Sequence, residues 1–382
     1  MKQNVQIVLI CVIVCILCSG CIIQSRQLES LGLATAVGFD EGKGGKIKGV
    51  TVLHHFGTRP EDVAQQLTST AYTSKGIARF MNLETSDRLV TGQQRIAVFG
   101  KELARERGIS ELVETLKRDA ATQTNMYLAI SKTTAKDILY QEKEEEHSKN
   151  MGTYLYKMIR QNIEGDELIS PTVQEFLRDY YQVGKDPVLP LLEKRRDFVL
   201  VDGAALMYKG NYVKHINAAK AFYVKALRSG FKGGGQLDVK VDFSHFKKFY
   251  PKKKQPKYMY VNLQHVEMKR KIKLVQQEDP VFDIDVKVTA NITAMTEELD
   301  LGQPGIYEAF EAAINKEMKR QIEKTIQDLQ GVKVDPVGFG AIYDTSIRHM
   351  KLTEKKWYNK LYPKAKFQVH VKTTITRSGV LN

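Results

Sequence analysis

Phe282-Asp283-Ile284-Asp285-Val286-Lys287-Val288-Thr289-Ala290-Asn291-Ile292 alternates apolar and polar residues without a break. Successive side chains of a strand point to opposite faces, so Phe282, Ile284, Val286, Val288, Ala290 and Ile292 share one face. Asp283, Asp285, Lys287, Thr289 and Asn291 share the other, which marks an antiparallel sheet with one wet face. Downstream, Phe310, Ile314, Met318, Ile322, Ile326 and Leu329 step by four and then three. They line one apolar stripe of a helix from Tyr307 to about Gln330, roughly 36 Å long. Packing of that stripe on the preceding sheet is the reading that buries both, with a partner helix as the alternative. The expected class is therefore α+β, with a long C-terminal helix packed on an antiparallel sheet.

Working outward, Asp335-Pro336-Val337-Gly338-Phe339-Gly340 breaks the helix, a further helix holds Trp357, and Phe367, Val369, Val371, Thr373 and Ile375 make a closing strand. Upstream, Leu237, Val239, Val241 and Phe243 alternate. Phe198 to Val201 and Gly203 to Tyr208 precede a Lys209-Gly210-Asn211 turn that suits a hairpin. Lys247 to Lys257 is a basic loop with two prolines, read as solvated, with membrane or partner contact as the alternative.

In the N-terminal half, Leu33 to Phe39 and Ile47 to Phe56 read as strands around a glycine-rich turn. No Gly-Lys-Ser/Thr follows those glycines, so they form a hairpin tip rather than a phosphate loop. Thr58-Arg59-Pro60-Glu61 has the form of a capping box and predicts a helix through Val63, Leu67 and Ala71. Arg95 to Phe99, a helix burying Ile109, Leu112, Val113 and Leu116, and Asn125 to Ile130 follow in β-α-β order, which implies a parallel pair. Thr134 to Tyr140 begins a helical stretch, and Glu142 to Glu146 is a charged, exposed run. Ser170-Pro171 is read as the cap and first residue of another helix, closed off by Pro187 and Pro190. The mixed and antiparallel sheets are expected in three domains: an α/β region over 31–195, a β-rich middle over 196–278 and a C-terminal domain over 279–382.

The N-terminus has its own logic. Lys2 precedes an apolar run from Val5 to Cys18, interrupted only by Gln6. Fourteen helical residues span roughly 21 Å, short of the ~30 Å hydrocarbon core. Ser19 and Gly20 are the small residues that signal cleavage needs, and Cys21 follows. Leu17-Cys18-Ser19-Gly20-Cys21 resembles a bacterial lipoprotein signal, which implies cleavage between Gly20 and Cys21 and a diacyl lipid on the Cys21 thiol. Residues 1–20 are then the signal peptide and 21–30 the lipidated spacer. The alternative is an uncleaved anchor, since Ile22 and Ile23 extend the run to roughly 28 Å. Both place the body outside the cytoplasm.

The four cysteines lie at positions 11, 15, 18 and 21 of a 382-residue chain, so a disulfide scaffold and any cysteine-based site in the body are excluded. The formal charge of +14 falls by one, to +13, without the segment carrying Lys2. That excess favours anionic partners, lipid headgroups above all, while a solvated Lys-rich surface is the plainer reading. Export and the absence of nucleic-acid motifs argue against nucleic acid. There is no Gly-x-Ser-x-Gly, Walker A, His-Glu-x-x-His or EF-hand pattern, and the eight histidines are scattered. No catalytic residue, metal site or cofactor is expected apart from the lipid on Cys21.

The chain resembles the Ger(x)C family, the C subunits of nutrient germinant receptors in endospore-forming bacteria. The residues that carry the likeness are the lipoprotein signal, Leu33 to Asp40, Arg95 to Gly100, Asp186-Pro187-Val188-Leu189-Pro190, Gly203-Ala204-Ala205, the long helix, Asp335 to Gly340, and Trp357. Asp335, Gly338, Phe339 and Gly340 are its most specific element, with a structural role. The resemblance implies a non-enzymatic lipoprotein on the outer face of the spore inner membrane, working with two polytopic subunits, A and B. A solute-binding lipoprotein that captures the nutrient itself is the alternative, and a membrane-tethered hydrolase a third reading.

Overall fold

A computed structural model describes residues 31–376, apart from 55–63, 120–122, 124, 141–149, 197, 251–254 and 349–350. In chain order the first elements are β1 (Leu31–Glu41), β2 (Ile47–His54), β3 (Ala64–Ala71), α1 (Ser74–Glu84), β4 (Arg88–Val90) and β5 (Ile96–Gly100). Next come α2 (Lys101–Glu106), α3 (Ser110–Arg118), β6 (Tyr127–Ser131), α4 (Ala135–Leu139), α5 (Met151–Glu164) and α6 (Val173–Tyr181). Then follow β7 (Val188–Arg195), β8 (Phe198–Tyr208), β9 (Asn211–Ile216), α7 (Ala218–Arg228), β10 (Phe231–Asp242), β11 (Tyr258–Gln276) and β12 (Val281–Met295). The chain closes with α8 (Ile306–Gly331), α9 (Phe339–Ser346), α10 (Glu354–Lys356) and β13 (Lys366–Ile375). The class is α+β, as the sequence implies.

Among the described residues the strands make two sheets. The first has nine strands in the order β3-β2-β1-β5-β6-β7-β8-β9, with β4 also against β1. Its centre is parallel, β1 to β5 and β5 to β6, as the β-α-β order requires. Helices cover both faces. Ala97 and Phe99 join one cluster with Ile77 of α1, Val113 of α3 and Phe176 of α6. Ile96 and Val98 join another with Ile138 of α4 and Leu155 of α5. The helices are started locally: Thr73 accepts from Gly76 N, Thr134 and Asp137 form a reciprocal capping box, and Asn150 accepts from Thr153 N.

The second sheet has the order β10-β11-β12-β13. Its first three strands are antiparallel, and β13 returns parallel to β12. Phe282, Ile284, Val286, Val288, Ala290 and Ile292 are buried, in one cluster with Phe310, Ile314, Met318, Ile322, Ile326 and Leu329 of α8. The helix stripe and the strand face thus cover each other. The same cluster takes in Ala204, Leu206 and Ile216 from the first sheet and Phe222, Tyr223, Val224, Ala226 and Leu227 of α7. A continuous core therefore joins the two sheets.

Two expectations need correction. The stretch through Leu67 and Ala71 is a strand, paired along β2 from Ala64↔His54 to Ala71↔Ile47. A spacing of four residues satisfies both the helical and the strand period, and the Thr68-Ser69-Thr70 run favours the strand. The proposed cap, Thr58 to Glu61, lies outside the described residues, as does Glu142 to Glu146. Second, α6 starts two residues late, with Thr172 as cap, because Pro171 O accepts from Leu128 N and holds that segment against β6. The positions 195/196 and 278/279, where the sequence places boundaries, both lie at hairpin turns. The β7–β8 pairing runs to Arg195↔Phe198, and β11–β12 runs from Gln276↔Val281. The segment 196–278 is therefore shared between both sheets. Turn-forming residues punctuate a hairpin in the same way as a linker.

Candidate functional site

After α8 the chain turns inward at Asp335, which is fully buried. Its Oδ1 accepts from Gly338 N at 2.8 Å and Phe339 N at 3.1 Å. Its Oδ2 accepts from Gly340 N at 2.8 Å and Trp357 Nε1 at 3.2 Å. One carboxylate thus organises the whole Asp335–Gly340 turn and pins the only tryptophan to it. Gly338 sits at φ 88°, where a side chain would be strained. At Gly340 a Cβ would lie 2.5 Å from Gly184 Cα and 2.7 Å from the Trp357 ring. Both glycines are therefore required by geometry.

The other half of the site comes from the segment leading into β7. Asp186 N donates to Asp335 O at 2.9 Å. In return, Asp186 Oδ2 accepts from Asp335 N and from the Tyr358 hydroxyl, each at 2.7 Å. Ala341 N donates to Gly184 O at 3.1 Å. Two aspartates 149 positions apart in the chain are thereby clasped backbone to side chain. Beside them, Asp179 of α6 is ion-paired with Arg228 of α7 and with Lys185 at 3.2 Å. Arg228 also donates to Pro336 O at 2.7 Å, so the first sheet's helices, α7 and the 335–340 turn meet at one point.

Burial governs the electrostatics. It pushes the Asp335 carboxyl up to about 6, against the pull of the Gly340, Phe339, Gly338 and Trp357 hydrogen bonds. It pushes Asp186 up to about 7, against the Asp335 N and Tyr358 bonds. Burial, reinforced by the Asp186 and Asp335 charges, raises the Tyr358 phenol. Asp186 Oδ1 is buried without a hydrogen-bond partner, which is consistent with a proton resting there. The clasp has perturbed groups but no opening for a substrate: Asp186, Asp335, Trp357 and Tyr362 are each fully buried. Its chemistry is that of a structural lock.

One open cleft lies nearby, of about 260 Å³, between β8–β9 and α8. Leu206, Leu329, Lys214 and His215 line it, and the Lys220–Asp328 ion pair spans it at 2.6 Å. Among the described residues no three His, Cys, Asp or Glu side chains converge as metal ligands.

Of the residues singled out by sequence, the structure brings Asp335, Gly338, Phe339 and Gly340 together with Asp186 and Trp357. Gly20 and Cys21 lie outside the described residues. Among the described residues no helix is long and apolar enough to cross a membrane. Sequence reasoning missed Asp179, Gly184, Arg228, Tyr358 and Tyr362. A signal existed for the tyrosines, since Trp357, Tyr358, Leu361 and Tyr362 follow a helical spacing. None existed for Arg228, which interrupts no pattern.

Two family models match this chain: Spore germination protein N-terminal domain over residues 24–194, and Spore germination B3/GerAC like, C-terminal, over 202–379. The chain belongs to the Ger(x)C family of spore germination proteins. Among particular proteins it is similar to spore germination protein GerQC of Bacillus cereus, 22% identical over 94% of this chain and 95% of the relative. Spore germination protein KC of Bacillus subtilis (strain 168) is likewise 22% identical, over 94% of this chain and 92% of the relative. The crystal structure of the GerBC protein shares the fold, with a TM-score of 0.51 at 14% identity over 89% of this chain and 97% of that one. The gap between the family models, 195–201, coincides with the β7–β8 turn and the start of β8.

Proposed function

We propose that this protein is the non-enzymatic C subunit of a nutrient germinant receptor, lipidated on Cys21. It works on the outer face of the spore inner membrane with the polytopic A and B subunits. The observation that carries this reading is the family match along the whole body, from 24 to 379 but for a short gap. The lipoprotein-like string Leu17 to Cys21 supplies the anchor, and two acyl chains suffice for stable attachment. The body then acts by docking rather than by chemistry. The test is Cys21→Ala in the sporulating host. Release of the body or an unprocessed precursor, with loss of the nutrient response, is the expected result. A normally anchored protein and unchanged nutrient germination would refute it.

A second reading, capture of a small solute by this chain, is favoured by the cleft near Lys220 and Asp328. Its polar groups converge beside apolar walls, although its volume is slightly below the usual ~300–1,000 Å³ of ligand pockets. Calorimetry with candidate nutrients decides it: heat that disappears in Lys220→Ala supports capture, and no heat rejects it.

A further inference from the structure

The helix α1 leaves two large apolar side chains, Phe80 and Leu83, outside the core. Its inner face is complete, because Ile77 and Met81 are buried against the first sheet. Arg79 and Leu83 project on the opposite side, with Phe80 on the flank. Leu83 is 74% exposed and Phe80 46%. Tyr72, in the turn before the helix, is 64% exposed, with the Lys46 ammonium over its ring. Of the ten large apolar side chains most exposed among the described residues, three therefore fall between positions 72 and 83. Single exposed apolar residues are ordinary, whereas such a grouping marks a contact surface.

The position of this face in the fold names what it contacts. The first described strand begins at Leu31, which registers with Arg88 in the parallel β1–β4 pair. Arg88 lies only five positions beyond Leu83 in the chain. The segment from Cys21 to Leu31 reaches at most roughly 35 Å when fully extended. A lipid on Cys21 thus holds the bilayer within reach of the end of the fold where α1 finishes. Arg79 shares the side of the helix that carries Leu83, Lys46 sits over the Tyr72 ring, and Glu84, Asp87 and Arg88 follow Leu83 in the chain. Lys75 is paired with Asp119. Leucine and phenylalanine flanked by tyrosine and basic side chains is the composition of an interfacial helix.

We propose that the outer face of α1, with Tyr72, Phe80 and Leu83, is the surface by which the anchored body rests on the lipid bilayer. This rests on the Cys21 anchor and adds to it a fixed orientation of the body on the membrane. Phe80 and Leu83 enter the headgroup–acyl boundary, Tyr72 sits at headgroup level, and α1 lies in the plane of the membrane.

The native Trp357 is fully buried and serves as an internal control. Full-length, lipidated Leu83→Trp and Phe80→Trp proteins are reconstituted on anionic vesicles whose acyl chains carry bromine, a contact quencher of indole. Tyr260→Trp, on a different sheet, is the exposed control. The expected result is a loss of the added emission of about twofold or more at positions 83 and 80, with none at 260 or in the parent, as for any residue held within ~5–10 Å of the acyl boundary. If the proteins float with the vesicles and positions 83 and 80 stay unquenched, this face does not meet lipid and the proposal is overturned. If the parent does not float, the anchor fails and the orientation with it. Flotation therefore separates the two failures.

Discussion

The two sheets bury their strands in different ways. All five residues of β5 are buried, with Ile96 and Val98 facing α4 and α5 while Ala97 and Phe99 face α1, α3 and α6. In β12 the alternate residues Ile284 and Val286 are buried under α8, while Asp285 and Lys287 stand exposed. A strand covered on both faces has no polar face to betray its period, whereas a half-covered strand declares it residue by residue. Tolerance to substitution should differ in the same way.

The largest expected effects test that contrast directly. Val98→Asp, Ala97→Asp and Ile284→Asp each place an unpaired charge in a core and should cost more than about 4 kcal/mol, leaving little folded protein. Asp285→Asn, one position from Ile284 but on the wet face, should change stability by less than about 0.5 kcal/mol. Urea unfolding followed by circular dichroism compares the four. A well-folded Ala97→Asp protein would mean that the first sheet is open on one side after all.

Next in size is the clasp that joins the sheets. Asp335→Ala leaves the amides of Gly338, Phe339 and Gly340 and the Trp357 indole without their common acceptor. At about 1–3 kcal/mol per buried unsatisfied group, partly relieved by relaxation, the loss should be about 3 kcal/mol or more. Since the turn that holds the residue 335 backbone against Asp186 loosens at the same time, calorimetry should show both sheets destabilised together. Two separate transitions, with only the second sheet weakened, would show that the clasp does not couple the two sheets.

This contrast also explains what could be read from the sequence. The β12 alternation and the α8 stripe each bury one face, and both came through at nearly the observed bounds. The edge strand β3 was misread because Leu67 and Ala71, four apart, fit either period. The signals at 195 and 278 are turn signals, and the sheets continue through both turns. Of the clasp, the Asp335–Gly340 half was visible as a family motif, and Asp186 only as part of a second one. Their meeting was not legible, since a contact across 149 positions leaves no local pattern. The same holds for the pairing of Asp179 with Arg228, which tertiary packing alone creates.

A smaller effect tests the closeness of the two halves. Gly340→Ala drives a methyl group into Gly184 Cα and the Trp357 ring, both inside 3 Å. Overpacking of this kind costs about 1–3 kcal/mol. Burial also makes the emission of Trp357 a reporter, and a red shift should accompany the loss. Gly331→Ala, near the end of α8 with no atom near its added methyl, is the matched control and should be neutral or slightly stabilising.

The smallest effect is a dependence on pH. Asp186 has an ordinary value of 3.8 and is pushed up to about 7 by burial, so between those limits the folded protein holds a proton that the unfolded chain releases. Its contribution is intact below about pH 4 and declines as pH rises towards 7; Asp335, pushed up to about 6, acts in the same direction. Half-buried carboxylates slope the opposite way, such as Glu193, held low by Arg195, and Asp202, held low by Lys132, so the informative quantity is the difference between parent and variant. Asp186→Asn keeps an oxygen for Asp335 N and the Tyr358 hydroxyl and removes the buried charge. The variant should match the parent near pH 4.5 and exceed it at pH 8 by on the order of 1 kcal/mol, because the gain in desolvation is offset by weaker, uncharged hydrogen bonds. Urea midpoints at the two pH values measure it. A variant less stable than the parent at pH 8 would mean that Asp186 is ionised in the native clasp and that its Oδ1 finds a partner there.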